Sequence, residues 1–233
     1  MLEITWLGHG TFQFRLASGE VIVADPWTDG NPSYPAGHSF DRVDTILITH
    51  GHFDHIHDAV PLAEKFSSQV VAIYETCLWL ESKGVKNTVS LNKGCTCQVG
   101  PVRVTMTHAV HSCGILDEGK IIYGGEAAGY VLTLADSRAV YFAGDTSAFR
   151  DMELIRELYR PKLAILPLGD RFTMSPLEAA AACRMLRPEK VIPMHFGTFP
   201  LLTGRPEELA ARLRQDLPET EVWPLEIGKP AVW

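Results

Sequence analysis

Apolar and polar positions alternate in short runs through the first third of the chain. LEITWLG, TFQFRL and EVIVAD read as strands spaced as hairpins, with Ser18-Gly19 as a turn. TILITH (45–50) is an apolar strand ending in histidine. The stretch after it, about DAVPLAEKF, changes to helical spacing, with Pro61 tolerated near the helix start. QVVAIY is another strand, and ETCLWLESKG a short helix closed by Gly84. The middle returns to β periodicity. CTCQVGPVRVTMTHAV alternates about a turn at Gly100-Pro101, and GYVLTLADSRAVYFAGD predicts a hairpin about Asp136-Ser137. Strand and helix then alternate: DMELIRELYR is helical, KLAILPL a strand, and SPLEAAAACRML a helix with Ser175 as N-cap and Pro176 at its first position. KVIPMHF is a strand, RPEELAARLRQ a helix and TEVWPLE a last strand. Two β-rich halves dressed with helices predict sheets packed face to face with helices outside, an α/β four-layer αββα sandwich. Periodicity alone does not separate that layout from other α/β arrangements.

The 233 residues, 46% of them hydrophobic, suffice for a sizeable core, and one domain over residues 1–233 is expected. There is no linker rich in Pro, Gly or Ser and no internal repeat. A net charge of -7 lacks the diffuse basic field of nucleic-acid binders, although a local basic groove would escape that test. The start, MLEITWLGHG, has no basic segment followed by a long apolar stretch, and no run approaches the roughly 18 apolar residues of a membrane span. A cytoplasmic location is the resulting expectation. Five scattered cysteines do not suggest a disulfide framework. Cys95 and Cys97 would share one face of a strand and read as small core residues rather than a soft-metal pair.

The strongest local signal is His50-Gly51-His52-Phe53-Asp54-His55, directly after the apolar run TILIT. Four of the nine histidines fall between 50 and 57. Three imidazoles and a carboxylate within six residues, at a strand end, are ligand-type spacing and hard to explain as core. Imidazole and carboxylate suit Zn, Mn, Fe and Ni alike. In a tight turn His50 and His52 reach one cation, while Asp54 and His55 turn towards a second. No G-x-S-x-G elbow, P-loop or dinucleotide fingerprint competes with this reading. A Cys113–His111 pair has only proximity in its favour.

This H-x-H-x-D-H run resembles the signature of the metallo-β-lactamase superfamily. WLGHGTF, ADPWTDGNP (24–32), LPLGDRFTMSPLEAA (166–180) and VIPMHFGTFP (191–200) resemble its small single-domain metal-dependent hydrolases related to the ascorbate-6-phosphate lactonases. They are more distantly similar to the N-acyl-phosphatidylethanolamine phospholipase D group. The resemblance covers nearly the whole chain. It implies the metallo-β-lactamase fold and two divalent cations. His50, His52 and His111 would bind the first, Asp54, His55 and His195 the second, and Asp145 would bridge them. Of the two histidines in THAVHSCG, His111 is chosen over His108 because the H-S after it fits the family pattern. His9 would lie near the metals without binding them, unless it is an ordinary core histidine. His57 departs from the small residue usual after the signature, and suits a supporting or surface role.

Several other residues keep two readings. Asp25 either holds a ligand histidine or closes its own turn. Asp58 either orients a ligand histidine or caps the following helix. Arg171 could receive a phosphate or carboxylate of the substrate. Segments 31–40 and 112–129, punctuated by Gly and, in the first, Pro, suit a loop over a pocket and a lid or long hairpin loop. Trp79 and Trp223 could serve the core or a homo-oligomer interface. The expected chemistry is hydrolysis of a lactone, ester, thioester or phosphodiester in a small or medium substrate by a hydroxide shared between the two metals, with Asp54 and Asp145 fixing the metals and helping with the proton. The alternatives are a nuclease, a diiron redox protein, which His52 argues against, and a non-catalytic metal binder or scaffold.

Overall fold

The computed structural model describes residues 1–233. Strands β1 (Leu2–Trp6), β2 (Phe12–Leu16) and β3 (Val21–Ala24) form an antiparallel meander. β4 (Thr45–Leu47) adds in parallel, and helices α1 (Phe53–Ile56) and α2 (Ala59–Phe66) follow it. β5 (Gln69–Ile73), α3 (Tyr74–Ser82) and β6 (Thr88–Leu91) extend the same sheet. β7 (Thr96–Val99) and β8 (Val102–His108) open the second sheet. The hairpin β9 (Gly114–Asp117) and β10 (Lys120–Tyr123) belongs to neither. β11 (Ala128–Thr133) and β12 (Ala139–Phe142) continue the second sheet. α4 (Met152–Tyr159), β13 (Leu163–Pro167), α5 (Pro176–Leu186), β14 (Lys190–Met194), α6 (Pro206–Asp216) and β15 (Glu221–Val222) complete it as parallel crossovers. The chain ends in β16 (Pro230–Val232), which returns to pair antiparallel with β1.

Alternation along the strands makes the four layers. Ile4, Phe12, Phe14 and Leu47 meet Val104, Tyr130, Phe142 and Ile165 between the sheets. Val23, Ile46 and Val70 face the other way, onto Ile56, Ala63 and Leu80 of the first helical layer. Val131, Tyr141 and Ala164 face Ile155, Ala179 and Leu209 of the second. Strands covered on both faces are nearly continuously apolar, which is why ILI (46–48) and LAILP read as runs without alternation. The fold is the αββα sandwich of the metallo-β-lactamases. α5 starts as predicted: Ser175 Oγ accepts from the Glu178 amide, Glu178 accepts from the Ser175 amide, and Pro176 occupies the first turn. No helix is long and apolar enough to cross a membrane.

Two expectations change and two open readings narrow. Cys95 is exposed just ahead of β7, and only Cys97 reaches the inter-sheet core, so the pair is not jointly core. Segment 31–40 packs Tyr34 and Phe40 onto the first helix-side core rather than over a pocket. Segment 112–129 contains the β9–β10 hairpin, whose second strand is exposed at every position. Trp79 and Trp223 are partly buried at the edges of the helix-side and inter-sheet cores, and Trp79 Nε1 donates to Asp117 at 2.9 Å.

Candidate metal centre

The cluster forms where strand ends converge. The turn after β4 carries His50 and His52 and α1 carries Asp54 and His55; the loops after β8, β12 and β14 bring His111, Asp145 and His195. His52 Nδ1 lies 3.0 Å from His50 Nε2 and 3.3 Å from His111 Nε2. A tetrahedral cation with bonds of about 2.0–2.1 Å spaces its ligands about 3.3–3.4 Å apart, so these three nitrogens lie near the edges of such a polyhedron. Each ring's other nitrogen is free to be held elsewhere: His50 Nδ1 lies 3.0 Å from Thr49 Oγ1 and His52 Nε2 3.1 Å from Ser112 Oγ.

Asp54, His55, His195 and His9 form a second group. Asp145 Oδ2 stands between the two. It is 3.9 Å from His50 Nε2 and 3.7 Å from His111 Nε2 on one side, and 3.3 Å from His55 Nε2 and 3.1 Å from His195 Nε2 on the other. His55 Nε2, His195 Nε2 and Asp145 Oδ1 are buried without a hydrogen-bond partner. Buried polar atoms are normally satisfied, and unpartnered imidazole nitrogens gathered within a few ångströms of carboxylates are what a cation's ligands look like. The donor set therefore fits divalent metal.

Asp25, at the end of β3, fixes two of these rings. Its carboxylate accepts from the Thr49 amide at 2.8 Å, the Thr49 hydroxyl at 2.6 Å and His55 Nδ1–H at 2.7 Å. With its proton committed to Asp25, the Thr49 oxygen accepts from His50 Nδ1–H. One carboxylate thus fixes Nδ1–H on both rings and turns both Nε2 atoms towards the cluster, that of His55 as a lone pair once its second proton is displaced. Asp25 holds a candidate ligand; its own turn is incidental. His9 and His195 both sit in left-handed backbone (φ 53° and 57°), a conformation non-glycine residues adopt sparingly. The His9 carbonyl secures both turns by accepting from the His195 amide at 3.0 Å and Trp6 Nε1 at 2.9 Å. Gly10 is required beside them, because a Cβ there would lie 2.7 Å from the His55 ring.

Charge follows from this crowding. Burial and the neighbouring imidazoles hold the His50 pKa well below its ordinary value, and burial lowers His52 and His111 in the same direction. Burial also opposes charge on His55 and His195, but the carboxylates outweigh it. His55 is raised well above the usual range, and His195, mainly through Asp145, is pushed up to about 9. Burial works against ionised Asp54 and Asp145 as well, yet the adjoining imidazoles hold both well below the usual carboxylate range.

The remaining candidates separate cleanly. His9 is buried, donates from Nε2 to Asp54 Oδ2 at 2.8 Å and meets Thr198 Oγ1 at 3.0 Å through Nδ1; burial lowers its pKa to about 4, so it is neutral. It positions Asp54 rather than standing as an isolated core residue. His57 is on the surface beside Asp58. Asp58 contacts no clustered histidine; it occupies the N-cap position of α2 without a side-chain cap bond, and its carboxylate instead accepts from the Thr28 and Asp29 amides at 2.5 and 3.1 Å and ties down their loop. Arg171 is exposed on the loop after β13. Cys113 is buried, with Sγ between the Gly51 amide and the Gly124 carbonyl. His108 lies outside the cluster, exposed, with Lys93 Nζ donating to it at 2.9 Å. Replacing His108 by alanine is therefore expected to leave metal content unchanged, whereas His111→Ala loses about one equivalent; elemental analysis of the two variants decides it.

Beside Asp54, Asp145 and His195 opens a cavity of about 200 Å³ walled by Phe53, Phe172, Phe199 and Leu202. None of these four drew notice in the sequence, because they come from three separate segments with no shared period.

Residues 20–196 match the beta-lactamase superfamily domain. The chain is 70% identical to a UPF0173 metal-dependent hydrolase of Solibacter usitatus over 232 residues, covering all of both chains. It is 56% identical to another UPF0173 metal-dependent hydrolase, from Koribacter versatilis, over 89% of this chain and 90% of that one. Among solved structures, Igni18, a metallo hydrolase from the archaeon Ignicoccus hospitalis, superposes with a TM-score of 0.87 at 30% identity, over 99% of this chain and 97% of that one. With the αββα fold and the histidine–aspartate cluster, these similarities establish that the chain belongs to the metallo-β-lactamase superfamily and, within it, to the UPF0173 metal-dependent hydrolases.

Proposed function

We propose that the chain works as one domain that holds two divalent cations and hydrolyses an ester-like bond of a small or medium substrate. His50, His52 and His111 would hold the first cation and Asp54, His55 and His195 the second, with Asp145 available to both. The observation that carries this reading is the position of Asp145 Oδ2, within 4 Å of nitrogens from both groups. Bound there, such cations would supply a water of lowered pKa and polarise the oxygen on which charge develops. The protein's own part is positioning. Asp25 and Thr49 hold the ligand tautomers, and His9 holds Asp54 while its neutral ring at Nε2 keeps that carboxylate ionised. Phe53, Phe172 and Phe199 limit water at the mouth. Arg171 stands exposed beside Phe172, where it can meet an anionic group of a larger substrate.

The walls of the cavity include no lysine or arginine, which favours a carbon ester or lactone over a polynucleotide. The test is a panel of ester, lactone, thioester and phosphodiester substrates offered to protein loaded with Zn or Mn. Turnover that a chelator abolishes and added metal restores supports the reading; metal-loaded protein inert to the whole panel favours a non-catalytic metal binder.

Loading also has a proton signature. At pH 7 His55 and His195 hold protons that a cation must displace, while His50, His52 and His111, with lowered pKa values, are already free. Metal uptake at pH 7 should therefore release protons, chiefly at the second position. Affinity there should rise with pH towards about 9 and fall on acidification, with the first position holding to lower pH. Calorimetry in buffers of different ionisation enthalpy counts the protons, and a count of zero at pH 7 contradicts the assignment.

A further inference from the structure

Three phenylalanines surround the mouth beside the metal cluster, and all remain accessible: Phe53 at 53%, Phe172 at 58% and Phe199 at 36%. Large apolar side chains gathered on one rim are costly in water and mark a binding surface. They are not loose. Buried Trp27 lies beneath two of them, edge-on to Phe53 at 5.6 Å and stacked with Phe199 at 6.0 Å, and His9 meets Phe199 at 5.9 Å. Leu202 closes the apolar wall, and the polar floor is Asp54, Asp145 and His195. A closed apolar cavity of about 150 Å³ accepts benzene, so about 200 Å³ takes one aromatic ring with a short link. A charged substituent lodged among the three rings would lose water there and find no lysine or arginine in the lining.

Resting on the hydrolase reading above, we infer that the substrate is an uncharged carboxylic ester or lactone carrying a single aromatic ring next to the scissile bond, and that Phe53, Phe172 and Phe199 select it. Hydrolysis breaks the acyl carbon–oxygen bond and joins the carbonyl carbon to the oxygen of water. One water proton goes to the departing alcohol and the other leaves the acid, giving a carboxylate.

Methyl phenylacetate and benzyl acetate are compared with ethyl acetate on the metal-loaded protein, and binding of phenylacetate and benzyl alcohol is measured separately by calorimetry against acetate and ethanol. At least one ring-bearing ester should exceed ethyl acetate about tenfold or more in kcat/KM, the scale a small apolar increment reaches in such a pocket. That preference should fall about tenfold in Phe172→Ala and Phe199→Ala at unchanged metal content, and remain in Leu158→Ala on the exposed side of α4. Ester turnover without ring preference, or preference for a charged phosphodiester, overturns the inference and leaves the hydrolase standing. Ring binding that the Phe variants lose, without turnover of any ester, keeps the aromatic pocket and removes the hydrolase. Neither turnover nor ring binding overturns both.

Discussion

Asp145→Ala is expected to lower turnover by about 10³-fold or more and to remove at least one cation from the purified chain. The magnitude follows from position. Losing a single well-placed hydrogen-bond donor to a transition state costs about 10²–10³, and Asp145 Oδ2 neighbours four candidate ligand nitrogens at 3.1–3.9 Å. Without it, His55 and His195 lose the carboxylate that each faces and the two groups lose their common oxygen. Kinetics on metal-saturated variant together with its metal content make the check. Ordinary turnover with both cations retained would remove Asp145 from the centre and leave two unrelated histidine groups.

Asp25→Ala should act on both folding and metal. The carboxylate is fully buried and accepts three hydrogen bonds, from the Thr49 amide, the Thr49 hydroxyl and His55 Nδ1. Alanine leaves all three donors inside the protein without an acceptor, a loss of about 3–5 kcal/mol, as for breaking a buried charged pair. For a chain of this length that lowers Tm by roughly 6–20 °C. In the fraction that folds, His55 is free to turn and the His50 tautomer is no longer fixed, so metal affinity should fall by about 10–100-fold. Thermal unfolding with and without metal reads both effects. A stable variant with unchanged metal affinity would mean that the Asp25–Thr49–His55 network does not orient the ligands.

Much of the candidate centre was legible because its largest piece is local. His50, His52, Asp54 and His55 lie within six residues, and the turn after β4 and the α1 that follows present them together. Asp145 and His195 end apolar strands, but naming them as candidates took the family resemblance. His111 needed the family pattern, since spacing alone left His108 as an alternative, and β8 in fact carries His108 outward to Lys93. The αββα layers were suggested by two β-rich halves dressed with helices, and the resemblance chose them over other α/β layouts.

The rest depends on contacts far apart in sequence. β16 closes the first sheet by pairing residues 230–232 with residues 3–5, too short a run to show periodicity. β10 is exposed throughout, so KIIY has no buried face to betray a strand. Asp25 lies 30 residues from His55, and in sequence its role is indistinguishable from a turn before proline. Asp58 stayed open because adjacency to a signature suggests support for it, whereas its carboxylate faces the amides of 28 and 29. The aromatic rim is assembled from α1 and from the loops after β13 and β14.

The most direct test of the shared-carboxylate centre is the number of cations per chain after stripping with chelator and reloading with Zn or Mn, measured by elemental analysis on the unaltered protein, His52→Ala and His195→Ala. The geometry predicts two equivalents in the unaltered chain and about one in each variant, because each substitution opens a different side of Asp145. A single equivalent in the unaltered chain that survives both substitutions would contradict it.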